Sequence, residues 1–135
     1  MSLVVPDTIE VEVLNSVLTP NLTLRLYSNN ATPAHDSSAA SFTEATGGGY
    51  ANKPLTFANW TITAGDPSQA VYGLQTWTFT GPMTGPATVY GYYVTRDSDG
   101  KLMWAERFGS GVVPFVSING SVIKVIPRFT AQSQF

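Results

Sequence analysis

The chain has 135 residues, with seven Lys and Arg, nine Asp and Glu, one His and no Cys, for a net charge of −2. This length fits one domain and buries a core without staples; the missing cysteines exclude a disulfide framework and a thiolate metal site. The basic residues Arg25, Lys53, Arg96, Lys101, Arg107, Lys124 and Arg128 are scattered, so no nucleic-acid partner is expected.

Charged residues are only 12% of the chain, while Gly and Pro number 12 and 9 among many Thr, Ser and Asn. A neutral, hydroxyl-rich and turn-rich sequence favours sheets over helices. The start, Met1 to Asp7, lacks a basic segment followed by an apolar run, and no stretch is long and apolar enough to span a bilayer. No export signal and no membrane partner are therefore expected. The sequons at Asn21, Asn30, Asn59 and Asn119 read as by-products of an Asn/Thr-rich surface.

Residues 1–7 read as an extended N-terminal arm and residues 8–135 as a single domain. Between Asp7 and Leu18, Ile9, Val11 and Val13 alternate like a strand, while Ile9, Val13 and Val17 with Leu14 and Leu18 follow helical spacing. Capping by Asp7 or Thr8 and a stop at Thr19-Pro20 favour a short helix. Leu22 to Tyr27 is a strand with three leucines on one side and Thr23, Arg25 and Tyr27 on the other. Residues 31–41, small and polar with Pro33 and His35, predict a long exposed loop. Gly47-Gly48-Gly49 predicts backbone with unusual dihedrals or a close approach between subunits. Extended chain follows around Leu55, Phe57 and Trp60 to Thr63, and a long strand from Val71 to Thr80. Thr88 to Thr95 and Leu102 to Phe108 form a hairpin around Asp97-Ser98-Asp99-Gly100. Its first strand carries Tyr90 and Tyr92 on one face and Tyr93 on the other, which predicts an exposed or interfacial tyrosine. The last strand runs from Val122 to Phe129, with Pro127 placing it at an edge. Short strands at regular spacing predict an all-β antiparallel sandwich or jelly-roll-like barrel with one short helix.

Catalytic chemistry finds little support. His35 is the only histidine and falls in the polar loop beside Asp36, where nothing holds it as a general base must be held. Asp97 to Gly100 resembles the start of a calcium loop but lacks the late bidentate glutamate, so a turn is the simpler reading and no metal is expected. Gly47 to Gly49 is followed by Tyr50 and not by the Lys and Ser/Thr of a phosphate loop, so no cofactor is expected. Glu44, Asp66 and Glu106 are candidates for a glycosidase pair, but Glu106 beside Arg107 reads more simply as a surface or interface salt bridge. Trp60, Trp77, Trp104, Tyr90, Tyr92 and Tyr93 supply flat surface for a core, an interface or sugar stacking. No catalytic residues are assigned, and the chain is expected not to be an enzyme.

Four stretches carry a family resemblance: Leu3 to Pro6; Leu22 to Pro33; Phe42 to Ala45 with Gly47 to Tyr50; and Leu102 to Phe108. Together they resemble small virion structural proteins of tailed bacteriophages and cyanophages, in particular capsid decoration (cement) proteins. The resemblance implies a homotrimer on the capsid exterior that clamps neighbouring capsomers of the major capsid protein and waits in the host cytoplasm before assembly. It points to the arm (Leu3, Val4, Val5), Tyr50, and Glu106, Arg107 and Phe108 as contacts with the capsid or between subunits. The alternative is a tail-fibre or receptor-binding module whose exposed Trp and Tyr recognise host carbohydrate.

Overall fold

The computed structural model describes residues 4–65, 67–85, 88–113 and 115–131. One helix, α1 (Asp7–Leu18), precedes eleven short strands: β1 (Leu22–Tyr27), β2 (Lys53–Leu55), β3 (Thr61–Thr63), β4 (Ser68–Val71), β5 (Gln75–Thr78), β6 (Thr88–Val89), β7 (Gly91–Arg96), β8 (Leu102–Arg107), β9 (Phe115–Val116), β10 (Val122–Val125) and β11 (Arg128–Ala131). The fold is the predicted all-β, sandwich-like one with a single short helix. One layer is a four-stranded antiparallel sheet in the order β2-β1-β7-β8. The pairs β10-β5 and β6-β9 and the three-stranded β11-β4-β3 supply the rest.

Of the predicted helical set, Leu14 and Leu18 anchor the helix, and Glu10 joins them in place of Ile9 and Val13. Glu10, Leu14 and Leu18 face inward, while Ile9 and Val13 are largely exposed. Glu10 is tolerated there because the Ser68 hydroxyl donates to its carboxylate at 2.8 Å. Neither Asp7 nor Thr8 caps the helix; Pro6 occupies that position, and its carbonyl accepts from the amides of Ile9 and Glu10. Helical chain begins at Asp7, so the predicted arm ends one residue early. The stop is as expected, with the Thr19 amide returning to the Asn15 carbonyl.

Leu22, Leu24 and Leu26 of β1 are fully buried against Trp77, Ile123 and Val125 of the facing layer. Each contributes roughly 1.5–3 kcal/mol through burial. The opposite face of β1 and β7 is also covered. Tyr27, Phe42 and Tyr93 form a second cluster there, with Phe42 and Tyr93 stacked at 5.2 Å between ring centroids. A strand with clean alternation is thus buried on both faces because residues 28–44 fold back over it. Tyr92 and Tyr93 are both buried for the same reason, and only Tyr90 of the three tyrosines stays partly exposed.

Two predicted long strands are each broken in two. Val71 to Thr80 divides into β4 and β5 around Tyr72-Gly73-Leu74, and Val122 to Phe129 divides into β10 and β11 around Ile126-Pro127. The breaks lie opposite one another: β4 pairs with β11, β5 pairs with β10, and the Tyr72 amide donates to the Pro127 carbonyl between them at 2.9 Å. The two strands therefore bend together from one sheet into the next, as strands do at sandwich corners. Proline suits the corner because it has no amide to leave unpaired. Thr88 to Thr95 is also split. The Tyr90 amide bonds to Tyr27 on one side, and its carbonyl accepts from Phe108 on the other.

The hairpin turn is as expected. Gly100 has φ +72°, and the Arg96 guanidinium holds the Asp99 carboxylate at 2.6 Å. That contact lowers the Asp99 pKa to about 2. The glycine triplet has φ of +78°, +60° and +80°, and a Cβ on Gly48 would lie 2.6 Å from the Gly81 carbonyl. The unusual dihedrals are present, and the close approach is to residues 80–84 of the same chain.

Candidate functional site

The two edges of the four-stranded sheet differ in a way the sequence alone does not display. On one side β2 is three residues long and carries Lys53 and Pro54. Shortness, lysine and proline are the usual devices that keep an edge from pairing with another chain. On the other side β8 is six residues long, Leu102-Met103-Trp104-Ala105-Glu106-Arg107, with neither lysine nor proline but with a β-bulge at Met103, where its register against β7 shifts by one residue. Its inner neighbour is β7, with Tyr92 opposite Glu106 and Val94 opposite Trp104. The Phe108 amide donates to the Tyr90 carbonyl, so the strand's period of two turns the amides of Glu106 and Trp104 toward β7. The amides of Ala105 and Arg107 then face outward. Among the described residues no other strand pairs with this edge.

Grooves flank the edge on both faces. On the core side, a groove of about 480 Å³ is lined by Tyr92, Glu106, Phe108, Lys124, Ile126 and Arg128. It carries both signs of charge over aromatic and aliphatic walls. Burial pushes the Tyr92 phenol up to about 12, and the neighbouring Glu106 carboxylate adds to the shift. Further along the strand, the Trp104 ring packs 4.8 Å from that of Phe129. On the opposite face, a groove of about 500 Å³ separates Leu102 to Ala105 from Pro33, His35 and Ser37 of the polar loop. The Arg107 guanidinium covers the Tyr90 ring at 5.1 Å and donates to the Ala31 carbonyl at 3.0 Å, which anchors the start of that loop.

The contact residues expected from sequence are therefore divided. Glu106, Arg107 and Phe108 come together at the end of β8. Glu106 and Arg107 make no salt bridge with each other, because neighbours on a strand point to opposite faces. The ion pairs among the described residues are Arg25–Glu44 and Arg96–Asp99. Val4 is 73% exposed and Val5 half-buried at the far end of the chain from β8, and Leu3 lies outside the described residues.

Tyr50 has an internal role. Its hydroxyl accepts from the Leu26 amide at 3.2 Å, past the end of β2, where residues 43–45 take over the pairing with β1. The same hydroxyl donates to Glu44 Oε2 at 2.7 Å, while Glu44 Oε1 takes the Arg25 guanidinium at 2.7 Å. Burial and the Glu44 carboxylate hold the Tyr50 phenol far above its ordinary range. Its ring packs on the main core.

The candidate carboxylates do not converge. Glu44 reaches Arg25, on the face of β1 opposite the leucines, whereas Glu106 shares the leucine face through Tyr92 and Leu26. Asp66 lies outside the described residues. His35 is exposed in the loop and lines the groove beside β8 without a hydrogen bond to its ring. Among the described residues no group of three or more His, Asp or Glu is placed to hold a metal ion. Sequence reading singled out Glu106, Arg107 and Phe108 but not the two grooves, which need Lys124, Arg128 and loop 33–37 brought in from distant positions.

No protein-family model, curated protein or solved structure matches the chain.

Proposed function

We propose that this chain is a non-catalytic structural protein of a virion. It decorates the capsid exterior and clamps neighbouring capsomers of the major capsid protein. The observation that carries the reading is the contrast between the two edges of one sheet, with β2 blunted by Lys53 and Pro54 and β8, beyond its bulge at Met103, unpaired from Trp104 to Arg107 between two grooves. An open edge is an aggregation hazard in a protein meant to stay monomeric, and so marks a chain that meets a partner. The sequence resemblance of β8 and its neighbours to capsid decoration proteins supplies the kind of partner. The neutral surface is compatible with a molecule that binds a repeated lattice, where many modest contacts add through avidity. Stabilisation of the head then comes from binding the assembled state, with no chemical step. A homotrimer is the arrangement the resemblance implies.

The test is cryo-electron microscopy of purified virions that carry the protein. Copies in regular positions over the head, with β8 or the arm against a neighbour, are the expected result. A few copies confined to the tail would overturn the reading and make carbohydrate recognition by the aromatic groove the leading explanation.

A further inference from the structure

We infer that the uncharged end of the sandwich is the face at which copies of this chain meet around the three-fold axis of the homotrimer. The inference rests on the virion reading for the number of copies and takes the surface from the structure.

Charge is divided along the molecule. Residues 45–52, 67–95 and 108–123 contain no Asp, Glu, Lys or Arg. Folding brings these three segments together. The Thr84 amide donates to the Thr46 carbonyl at 2.7 Å, and the Thr80 amide to the Gly48 carbonyl at 2.9 Å. The Met83 amide donates to the Ser117 hydroxyl at 2.9 Å, and β6 pairs with β9. Phe79 exchanges backbone bonds of 2.8 Å with Gly120 and Ser121. From this end β7 runs to the opposite one, where the hairpin turn carries Arg96, Asp97, Asp99 and Lys101 within six residues.

The uncharged end also exposes apolar side chains. Val116 is 54% exposed, Ile118 60% and Val122 41%, while Ser117 and Ile123 beside them are buried. Clustered exposed apolar residues mark a contact surface. The lack of charge selects the partner. Around a rotation axis each side chain faces its own copies, so a charge near the axis meets like charge. An uncharged surface avoids that repulsion, and the hairpin end does not. A surface for a different protein gains its specificity from charges matched to that partner, and this one offers none. Ile118 is the most exposed of the three and stands on the turn closed by the Ser121 amide, which places it nearest the axis.

The experiment is sedimentation of the unmodified chain and of two exposed substitutions. The parent should show three times its 14.5 kDa chain mass, with no loss between about 0.1 M and about 1 M salt, because no charge pairs hold the contact. Ile118→Arg sets three like charges around the axis and should sediment as a monomer with unchanged circular dichroism. Thr63→Arg, on β3 beyond the corner, should stay trimeric. The chain has no cysteine, so Ile118→Cys adds a reading that needs no dissociation. Mild oxidation should link two of the three copies, and a denaturing gel should show covalent dimer beside monomer. A monomeric or dimeric parent, dissociation in high salt, loss of the trimer in Thr63→Arg, or Ile118→Cys without a cross-link would overturn the contact. So would a trimeric Ile118→Arg, and if that trimer no longer bound heads the patch would belong to the capsid. Head decoration by a trimeric Ile118→Arg refutes the contact alone; a trimer joined at this end that binds no head refutes the virion function and leaves the contact standing.

Discussion

Gly91 opens β7 at the point where the chain passes between β1 and β8. A strand interior ordinarily prefers alanine over glycine by roughly 0.5–1 kcal/mol, since glycine loses more backbone freedom on folding. At Gly91 the sign should reverse. A Cβ there would collide with the Glu106 carbonyl and lie 2.6 Å from the Tyr27 hydroxyl and 2.7 Å from its ring. Neither neighbour can yield cheaply. Glu106 is backbone in a paired strand, and Tyr27 is fully buried with its hydroxyl donating to the Ala31 carbonyl at 3.1 Å. Overpacking costs about 1–3 kcal/mol, and the upper end applies where backbone must move. For Gly91→Ala a loss of about 3 kcal/mol is expected. With an unfolding entropy of about 0.28 kcal/mol/K for a chain of this length, that lowers Tm by about 10 °C. Gly73→Ala is the matched control. Nothing lies within 4 Å of a Cβ at that corner, and its φ is not positive. The substitution should be neutral or stabilise by up to about 1 kcal/mol by restricting the unfolded chain. Calorimetry and urea unfolding of both variants decide the matter. If Gly91→Ala melts within about 2 °C of the parent, the close packing of β1, β7 and β8 described here is wrong.

Tyr50→Phe should cost about 2 kcal/mol in urea unfolding, because the Leu26 amide and Glu44 Oε2 both lose the phenol that joins them; an unchanged midpoint would count against that role. Alkaline pH should destabilise the protein through its buried tyrosines. The Tyr92 and Tyr93 phenols are pushed up to about 12 by burial, with the Glu106 and Glu44 carboxylates adding to the respective shifts. The unfolded chain loses these protons near pH 10 and the folded chain only near 12. Stability is therefore complete below about pH 10 and falls as pH rises toward 12. Tyrosinate absorbance should show Tyr92 and Tyr93 ionising together with unfolding, and ionisation of all six tyrosines near pH 10 in a still-folded chain would be inconsistent with their burial. Gly48→Ala should destabilise by more than about 2 kcal/mol, since it combines a strained positive φ with a clash against the Gly81 carbonyl; chemical denaturation reads this directly.

Local signals in the sequence were enough for the fold class, the helix with its stop at Thr19-Pro20, the Asp97–Gly100 turn and the special backbone of Gly47–Gly49. Each depends on residues within a few positions of one another: apolar periodicity, turn chemistry, or the freedom of glycine at positive φ. The breaks in the two long strands were not legible. Gly73 and Pro127 are visible as weak points, but only the Tyr72–Pro127 bond shows that they bend as a pair. Burial of both Tyr92 and Tyr93 escaped the alternation rule because a loop from elsewhere in the chain, carrying Phe42, covers the second face. For the site, the sequence supplied Glu106, Arg107 and Phe108 and the lack of lysine or proline along β8. Glu106 and Arg107 do not pair with each other within the chain, because adjacency in a strand separates side chains across the sheet. Which strands end up at the edges is decided by pairing between segments as far apart as Leu22 and Arg96. That choice, together with the grooves built by Lys124, Arg128 and loop 33–37, exists only once the chain has closed on itself. The local sequence determines what each segment can become, and the tertiary structure determines which of those segments is left without a neighbour.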